Sequence, residues 1–319
     1  MAEYDLLEQF RTDVIEGLRA KQKRLPSRYF YDAEGDAIFQ RIMRMPEYYL
    51  TRCEDEILGQ QADAVIDAIA GDAHEFDLLE LGAGDGTKTK HLLRRLIALG
   101  RAPFYRPIDI SRNALDALGA SLRQELPTLR FRGEQREYFD VLGEPLGGDR
   151  TKAILFLGSN IGNLDWVEAA ELLAGIGRTM GPRDRLMVGF DRRKDPMLVL
   201  RAYDDPAGHT RDFNLNLLRR INRELGADFD LERFVHVPVY DPFTGCASSY
   251  LVSTCLQEVH LDGVEQGFRF RAWEAIHTEI SQKYDQEEIA ALGAQAGLRI
   301  THSFSDRKDY FTDAVFMRA

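Results

Sequence analysis

Apolar residues recur at three- and four-residue intervals through Leu6, Leu7, Phe10, Val14, Ile15 and Leu18, which predicts an amphipathic helix over 3–19, with Leu25-Pro26 ending that region. A different rhythm governs residues 78–190. Short apolar runs near 77–81, 105–110, 129–133, 153–157 and 185–190 alternate with helical spacing near 87–99, 112–125 and 164–178. Such alternation implies an α/β fold wound around a mainly parallel sheet. After Asp191 the pattern changes to a polar helix over 211–225 and then β-rich sequence over 234–271, with turn signals at Asp241-Pro242 and Asp262-Gly263. A helix is expected over 285–297, and a closing pair of strands over 299–305 and 310–317. The organisation expected is discontinuous: a core from 59–195 and 286–319, with a smaller α+β domain from 1–58 and 196–285.

The densest chemical signal lies at residues 78–90, LLELGAGDGTKTK, where an apolar strand meets an acid, a glycine-rich turn and a helix start. Gly82, Gly84 and Gly86 let the backbone approach a ligand without a Cβ in the way, and the free N–H groups of the next helix point to the same place. The turn lacks both the G-x-G-x-x-G spacing of a dinucleotide site and the G-K-[ST] ending of a phosphate loop. The following strand, YRPIDI over 105–110, ends in Asp109, and a carboxylate at the end of a second strand suits a ribose diol. Together Glu80, Gly82, Gly84 and Asp109 resemble the S-adenosylmethionine (SAM) site of Rossmann-like methyltransferases. The plain reading of the two acids is helix capping or solvation at strand ends.

Composition narrows the classes. The 319 residues, 44% of them hydrophobic and 29% charged, describe a globular chain large enough for one large domain or two modest ones. A net charge of -11, with no long basic cluster, argues against a nucleic-acid partner; Arg192-Arg193-Lys194 is expected in solvent. No apolar span suits a membrane, and MAEYDLLEQF lacks the basic start and apolar core of a secretion signal, so the cytoplasm is the expected compartment. Cys53, Cys246 and Cys255 have no metal-ligand spacing and read as reduced thiols, and the seven histidines form no H-x-x-x-H pair, so no metal is expected. No sustained heptad asks for a partner, which favours a monomer.

Eight segments carry a resemblance to one family: LPSRYFYDAEGDAIFQRI (25–42), MPEYYLTR (45–52), LELGAGDGTKT (79–89), PIDIS (107–111), FLGSNIGN (156–163), AYDDPAG (202–208), FNLNLLRRINRELGADFD (213–230) and TEISQKY (278–284). In this order they resemble the L-histidine Nα-methyltransferases of ergothioneine biosynthesis. The resemblance implies a Rossmann-like SAM-dependent methyltransferase core with a smaller substrate-binding domain. It implies a small amino-acid substrate and three successive methyl transfers to the α-amino group of histidine, giving trimethylhistidine (hercynine), in a cytoplasmic enzyme without a metal.

Carried over residue by residue, the resemblance gives SAM to Gly82 and Gly84 at the turn, Lys88 at the methionyl carboxylate and Asp109 at the ribose, with Glu137 and Tyr138 flanking adenine. Asn163 and Tyr203 would hold the substrate carboxylate, Tyr48, Glu279 and Ser281 the imidazole, and Tyr31 would lie near the reacting amine. These residue types suit the chemistry. A sulfonium is already activated, so methyl transfer needs in-line alignment and a free amine lone pair more than a strong base. Neutral donors on the carboxylate orient it without adding a cation beside the sulfonium. A carboxylate that accepts the imidazole N–H discriminates against substrates lacking it. Asn214, Asn216, Arg220 and Asn222 read as domain-scaffold or lid residues rather than catalytic ones, and Asp204–Gly208 as a hinge between domains.

The chain also departs from the family pattern. In the strand Ala247-Ser248-Ser249-Tyr250, Ser249 stands where the resemblance gives histidine-specific members a methionine that lines the imidazole pocket. GSNIGN carries Asn160 in place of the more frequent threonine. Two other readings therefore stand beside histidine methylation: the same chemistry on another amino acid or a histidine derivative, and a non-catalytic SAM-binding regulator.

Overall fold

The computed structural model describes residues 2–136 and 150–319. In chain order its strands are β1 (Glu75–Leu81), β2 (Ala102–Asp109), β3 (Arg130–Phe131), β4 (Glu134–Gln135), β5 (Lys152–Phe156), β6 (Arg185–Asp191), β7 (Phe234–Asp241), β8 (Cys246–Ser253), β9 (Gln257–Val259), β10 (Phe268–Phe270), β11 (Ala275–Gln282), β12 (Leu298–Ser305) and β13 (Phe311–Arg318). The chain divides into two compact units, one of Tyr49–Lys194 with Gln282–Ala319, the other of the chain up to Tyr48 with Asp195–Ser281. The boundary expected at 58/59 would cut the helix Tyr49–Gln60. That helix packs as one piece on β13 and on the helix Thr89–Ala98, burying Ile57 and Leu58 completely.

The first of these units is the α/β layer structure that the strand–helix alternation implies. Its sheet runs β12-β13-β6-β5-β1-β2-β3, with β4 also on β2. β1, β2, β5 and β6 are parallel neighbours, and β13 runs antiparallel to both β6 and β12. The closing strands expected at 299–305 and 310–317 are therefore a terminal hairpin on the parallel sheet. On one face the helices Trp166–Thr179 and Gln286–Gln295 bury Leu172, Leu173, Ile176 and Leu292 with Phe156, Phe190 and Phe316 of the strands. From β1 the chain steps to β2 in one direction and later from β5 to β6 in the other. This reversal opens a crevice beyond the carboxyl ends of β1 and β5, where ligands bind in such sheets.

Glu80 does not face that crevice. Its buried carboxylate accepts the Thr89 hydroxyl at 2.5 Å and the Tyr105 hydroxyl, tying β1 to the start of the next helix and to β2. Burial pushes this acid up to about 7, although both hydroxyls and the Lys88 ammonium oppose the shift.

The second unit is built around the three-stranded sheet β11-β8-β7, with β7 and β8 antiparallel, and the short ladder β10-β9. Helices Ala2–Arg19, Ala33–Arg44 and His209–Leu225 supply its core, including Phe10, Val14, Leu18, Ile38, Ile42, Phe213, Leu217 and Ile221. Its polar helix is structural, as expected of a scaffold. Asn216 donates to Asp32 at 2.8 Å, Arg223 pairs with the same acid, Asn222 exchanges hydrogen bonds with the Phe229 backbone, and Arg220 lies over the Phe10 ring. Asp32 also caps the helix Ala33–Arg44 by accepting the Gly35 N–H at 2.7 Å. Gly35 is required there, because a Cβ would stand 1.7 Å from the Phe30 carbonyl oxygen.

Two outcomes follow from these acids. Glu80 holds its proton until about pH 7 in the folded chain, against 4.5 ordinarily, so the folded state binds more protons over that window and loses stability as pH rises through it. Thermal denaturation from about pH 4 to about pH 8 should show wild type losing stability relative to Glu80→Gln, by on the order of 3 kcal/mol at the upper end. A difference that stays flat with pH would show that no proton is held there. Asp32→Ala removes a cap, takes the acceptor from Asn216 and leaves Arg223 with Glu224 alone; denaturant unfolding should show a loss of roughly 2–3 kcal/mol.

Candidate active site

The glycine turn is fixed by backbone geometry. Gly82 has φ 72°, and a Cβ on it would stand 2.6 Å from Asn160 Nδ2. Gly84 has φ 54°, and among the described residues nothing lies within 4 Å of where its Cβ would be. An L side chain is strained at either position, and at Gly84 the open space is what a ligand approaching the backbone requires. Asp109 pins the turn: one carboxylate oxygen accepts the Gly84 N–H at 2.8 Å, the other accepts the Ser111 N–H at 2.8 Å. Burial raises this acid above its ordinary value, against the backbone donors of Ser111, Gly84 and Ile110. Each oxygen retains acceptor capacity for hydroxyl donors, so the residues fit the ribose of SAM. Glu137 and Tyr138, assigned to adenine, lie outside the described residues.

Lys88, expected on the first helical turn, sits immediately before the helix Thr89–Ala98, and its ammonium pairs with Glu54. Glu54 is fully buried and also accepts the Gly158 N–H, at 2.8 and 3.0 Å. Burial would lower Lys88, but the Glu54 charge and hydrogen bond, with Asp313 and Glu80, hold it above its ordinary value. In this region the motif reading passed over Glu54 and gave Asn160 no role. The signal for Glu54 was an acid on the apolar side of an amphipathic helix; for Asn160 it was the departure at that position.

A second charged cluster stands at the end of β6. Asp191 is fully buried and accepts the Tyr49 hydroxyl at 2.8 Å and the Lys283 ammonium at 2.8 Å, and pairs with Lys194. Lys194 lies 4.4 Å from the Tyr49 ring centre. Arg192-Arg193-Lys194, expected in solvent, is thus partly buried: Lys194 joins this cluster and Arg193 pairs with Glu288 at 2.5 Å. Burial pushes Lys194 below its ordinary value, with Asp191 opposing.

Asn163 ends the 3-10 turn Asn160–Asn163, which follows Ser159 at φ 58°. The capping box of the next helix is made by Asp165 and Glu168, so Asn163 is not its cap. Gly162 brings this turn against the chain at Gln282, where a Cβ would stand 2.8 Å from the Gln282 carbonyl oxygen.

Within the other unit, Tyr31 and Tyr48 meet in one aromatic cluster. The Tyr31 ring is edge-on to Phe39 and Phe213, at 5.7 and 5.6 Å, and Tyr48 is edge-on to Phe39 at 6.3 Å. Phe30 is buried against Phe213. Tyr203 is buried just after the helix Pro196–Arg201. Asp204–Gly208 lies inside this unit rather than between units, and Asp205 accepts the His209 and Thr210 N–H groups, both at 2.8 Å. On β11, Glu279 is half-buried and Ser281 is buried; Thr278 between β8 and the polar helix donates to Asn214 at 2.6 Å and to the Ser249 carbonyl at 3.0 Å. Ser249 is buried with its hydroxyl 3.2 Å from His236 Nε2, while Tyr250 turns to the opposite face, 5.2 Å from the His277 ring. The four residues Ala247–Tyr250 therefore do not line one pocket. Burial pushes His236 down to about 4, against Asp204 and Asp205, so it is a neutral ring beside Ser249 at physiological pH.

Among the described residues, no group of histidine, cysteine and acidic side chains could hold a metal ion, and no helix is long and apolar enough to cross a membrane. Comparison with known proteins places this geometry. The family model described as histidine-specific methyltransferase, SAM-dependent, matches residues 10–318. A histidine N-alpha-methyltransferase of Mycolicibacterium smegmatis is 38% identical over 300 residues, covering 94% of this chain and 92% of that protein. One of the same name from Mycobacterium tuberculosis is 36% identical over 302 residues, with the same coverage. Ergothioneine biosynthesis protein 1 of Neurospora crassa is 31% identical over 307 residues, 94% of this chain and 34% of that longer protein. With the family model spanning nearly the whole chain and the glycine turn, Asp109 and the sheet reversal in place, the chain belongs to the histidine-specific, SAM-dependent methyltransferases.

Proposed function

We propose that this protein transfers methyl groups from SAM to the α-amino group of L-histidine, carrying the amine to trimethylhistidine. The observation that carries the reading is the turn at Gly84 pinned by Asp109 at the sheet reversal, in a chain matched from residue 10 to 318 by the histidine-specific family. SAM supplies a methyl group on a sulfonium that is already a good leaving group. The protein's part is then to orient and desolvate. Gly82 and Gly84 give the cofactor backbone access, Asp109 accepts its ribose hydroxyls, Lys88 takes its carboxylate, and Glu137 and Tyr138 flank its adenine.

For the amino acid, Asn163 and Tyr203 hold the carboxylate with neutral donors, Tyr48, Glu279 and Ser281 hold the imidazole, and Tyr31 lies by the amine. The α-ammonium gives up a proton before it can attack the methyl carbon, and solvent, a tyrosine hydroxyl or the substrate carboxylate can relay it at mildly alkaline pH. The reading has the enzyme act as a cytoplasmic monomer with no nucleic-acid partner, in keeping with its acidic balance. One observation favours a second reading. The buried Ser249 hydroxyl against the neutral His236 ring forms a polar surface where the family pattern has a methionine, which suits a more polar histidine derivative or another amino acid.

Calorimetric titration with S-adenosylhomocysteine and with histidine, its dimethyl form, tryptophan and tyrosine separates these readings, with mass spectrometry of SAM reactions counting the methyl groups added. Asp109→Ala should weaken S-adenosylhomocysteine by roughly 30-fold or more. Glu279→Ala should raise the Michaelis constant for histidine by roughly 10- to 100-fold while leaving S-adenosylhomocysteine within about threefold. Equal loss of S-adenosylhomocysteine in both variants would sink the division of roles, and no saturable response to any histidine form would sink the substrate.

A further inference from the structure

Glu54 on the helix Tyr49–Gln60 and Asp313 on β13 are both fully buried acids. β13 pairs with β6 so that Asp313 stands opposite Gly189, and a Cβ on Gly189 would come within 2.5 Å of Glu54 Oε1. The missing side chain of Gly189 is thus the space that lets the Glu54 carboxylate settle over this strand pair. Glu54 takes its donors elsewhere, from the Gly158 N–H and the Lys88 ammonium. Asp313 has a different surrounding: among the described residues neither of its oxygens meets a hydrogen-bond donor. Its charged neighbours are the Glu54 carboxylate and the Lys88 ammonium, and Glu80 is the further acid that acts on Lys88.

Two carboxyl groups facing each other away from water do not both ionise. A carboxylate with both oxygens orphaned is costly, whereas a carboxylic acid that donates to its neighbour leaves neither group unsatisfied. Burial, together with the Glu54 charge, pushes Asp313 well above the usual carboxylate range, Lys88 opposing, which agrees with the geometry.

We propose that Asp313 keeps a proton that it donates to Glu54, and that this acid pair is the positioning device for Lys88, holding its ammonium by one shared negative charge so that the methionyl carboxylate of SAM can take it over. The proposal rests on the reading that Lys88 binds that carboxylate. With both acids ionised, two negative charges would retain Lys88 against an incoming anion. With neither ionised, nothing would hold the ammonium in place before SAM arrives. Neither Glu54 nor Asp313 is assigned to the cofactor or the amino acid, so both act through Lys88.

The test compares two probes by calorimetry: S-adenosylhomocysteine, and 5′-methylthioadenosine, which lacks the amino-acid end. Asp313→Ala should weaken S-adenosylhomocysteine by roughly tenfold and leave methylthioadenosine within about twofold. Lys88→Met should show the same selective loss, and the double variant no further loss. Asp313→Asn, whose amide donates to Glu54 as the acid does, should retain wild-type affinity for both. An infrared spectrum at about pH 8.5, where Glu80 has lost its proton, should show a protonated carboxyl band present in wild type and absent from Asp313→Asn. Parallel loss of both probes in Asp313→Ala would mean a merely structural acid and overturn the proposal, as would absence of the band. Unchanged S-adenosylhomocysteine affinity in Lys88→Met, with the band still present, would overturn it by removing the Lys88 reading on which it rests.

Discussion

Parallel strands that end inside a protein leave their last backbone and side-chain donors without partners, and the sheet-bearing unit meets this constraint with buried carboxylates. Asp109 takes the N–H groups of Gly84 and Ser111, Asp191 takes Tyr49 and two lysines, and Glu54 takes the Gly158 N–H and Lys88. Each acid closes the end of a strand and also fixes the first residues of the loop that follows it. The loops of the crevice are therefore ordered by the same interactions that make the strand ends tolerable in an apolar interior. Glu80 applies the device one residue pair earlier, below the turn, where it joins β1, β2 and the helix start through two hydroxyls.

The other unit solves a different problem, that of holding two tyrosine rings in a fixed orientation. Tyr31 and Tyr48 are gripped by their ring edges, against Phe39 and Phe213, so that apolar contact orients them. Asp32 then fixes the backbone next to Tyr31 by capping one helix and accepting from Asn216 and Arg223 of another. The polar residues along the helix His209–Leu225 are thus the means by which the aromatic cluster is held in register.

What was legible in the sequence was local. The helix starting at Arg112 and ending at Glu125, the strand ends at Leu81 and Asp109, and the terminal hairpin follow from spacing within a few residues. The glycine turn and Asp109 were readable because the turn is continuous and its partner lies one crossover away. The three helices between Ala33 and Ala70 were not read, and Glu54 shows one reason: a buried acid interrupts the apolar stripe that would mark its helix. Glu80 was legible as an acid at a strand end but not as an inward one, since the hydroxyls that claim it come from Thr89 and Tyr105. Lys194 was misread as solvated because Tyr49, which receives it beside Asp191, is distant in sequence.

The charge arrangement also answers a demand of the chemistry. A reaction between a sulfonium and an amine that begins as an ammonium is penalised by any further uncompensated cation close to it, because charges in a water-poor crevice are weakly screened. Lys88 is the cation of this region, proposed above as the anchor of the cofactor's carboxylate. Its ion pair with Glu54 offsets the charge that Lys88 would otherwise add. The neutral donors assigned to the substrate carboxylate, Asn163 and Tyr203, follow the same rule, and so does His236, which burial holds uncharged beside Ser249. Specificity in such a site is left to hydrogen-bonding shape rather than to net charge.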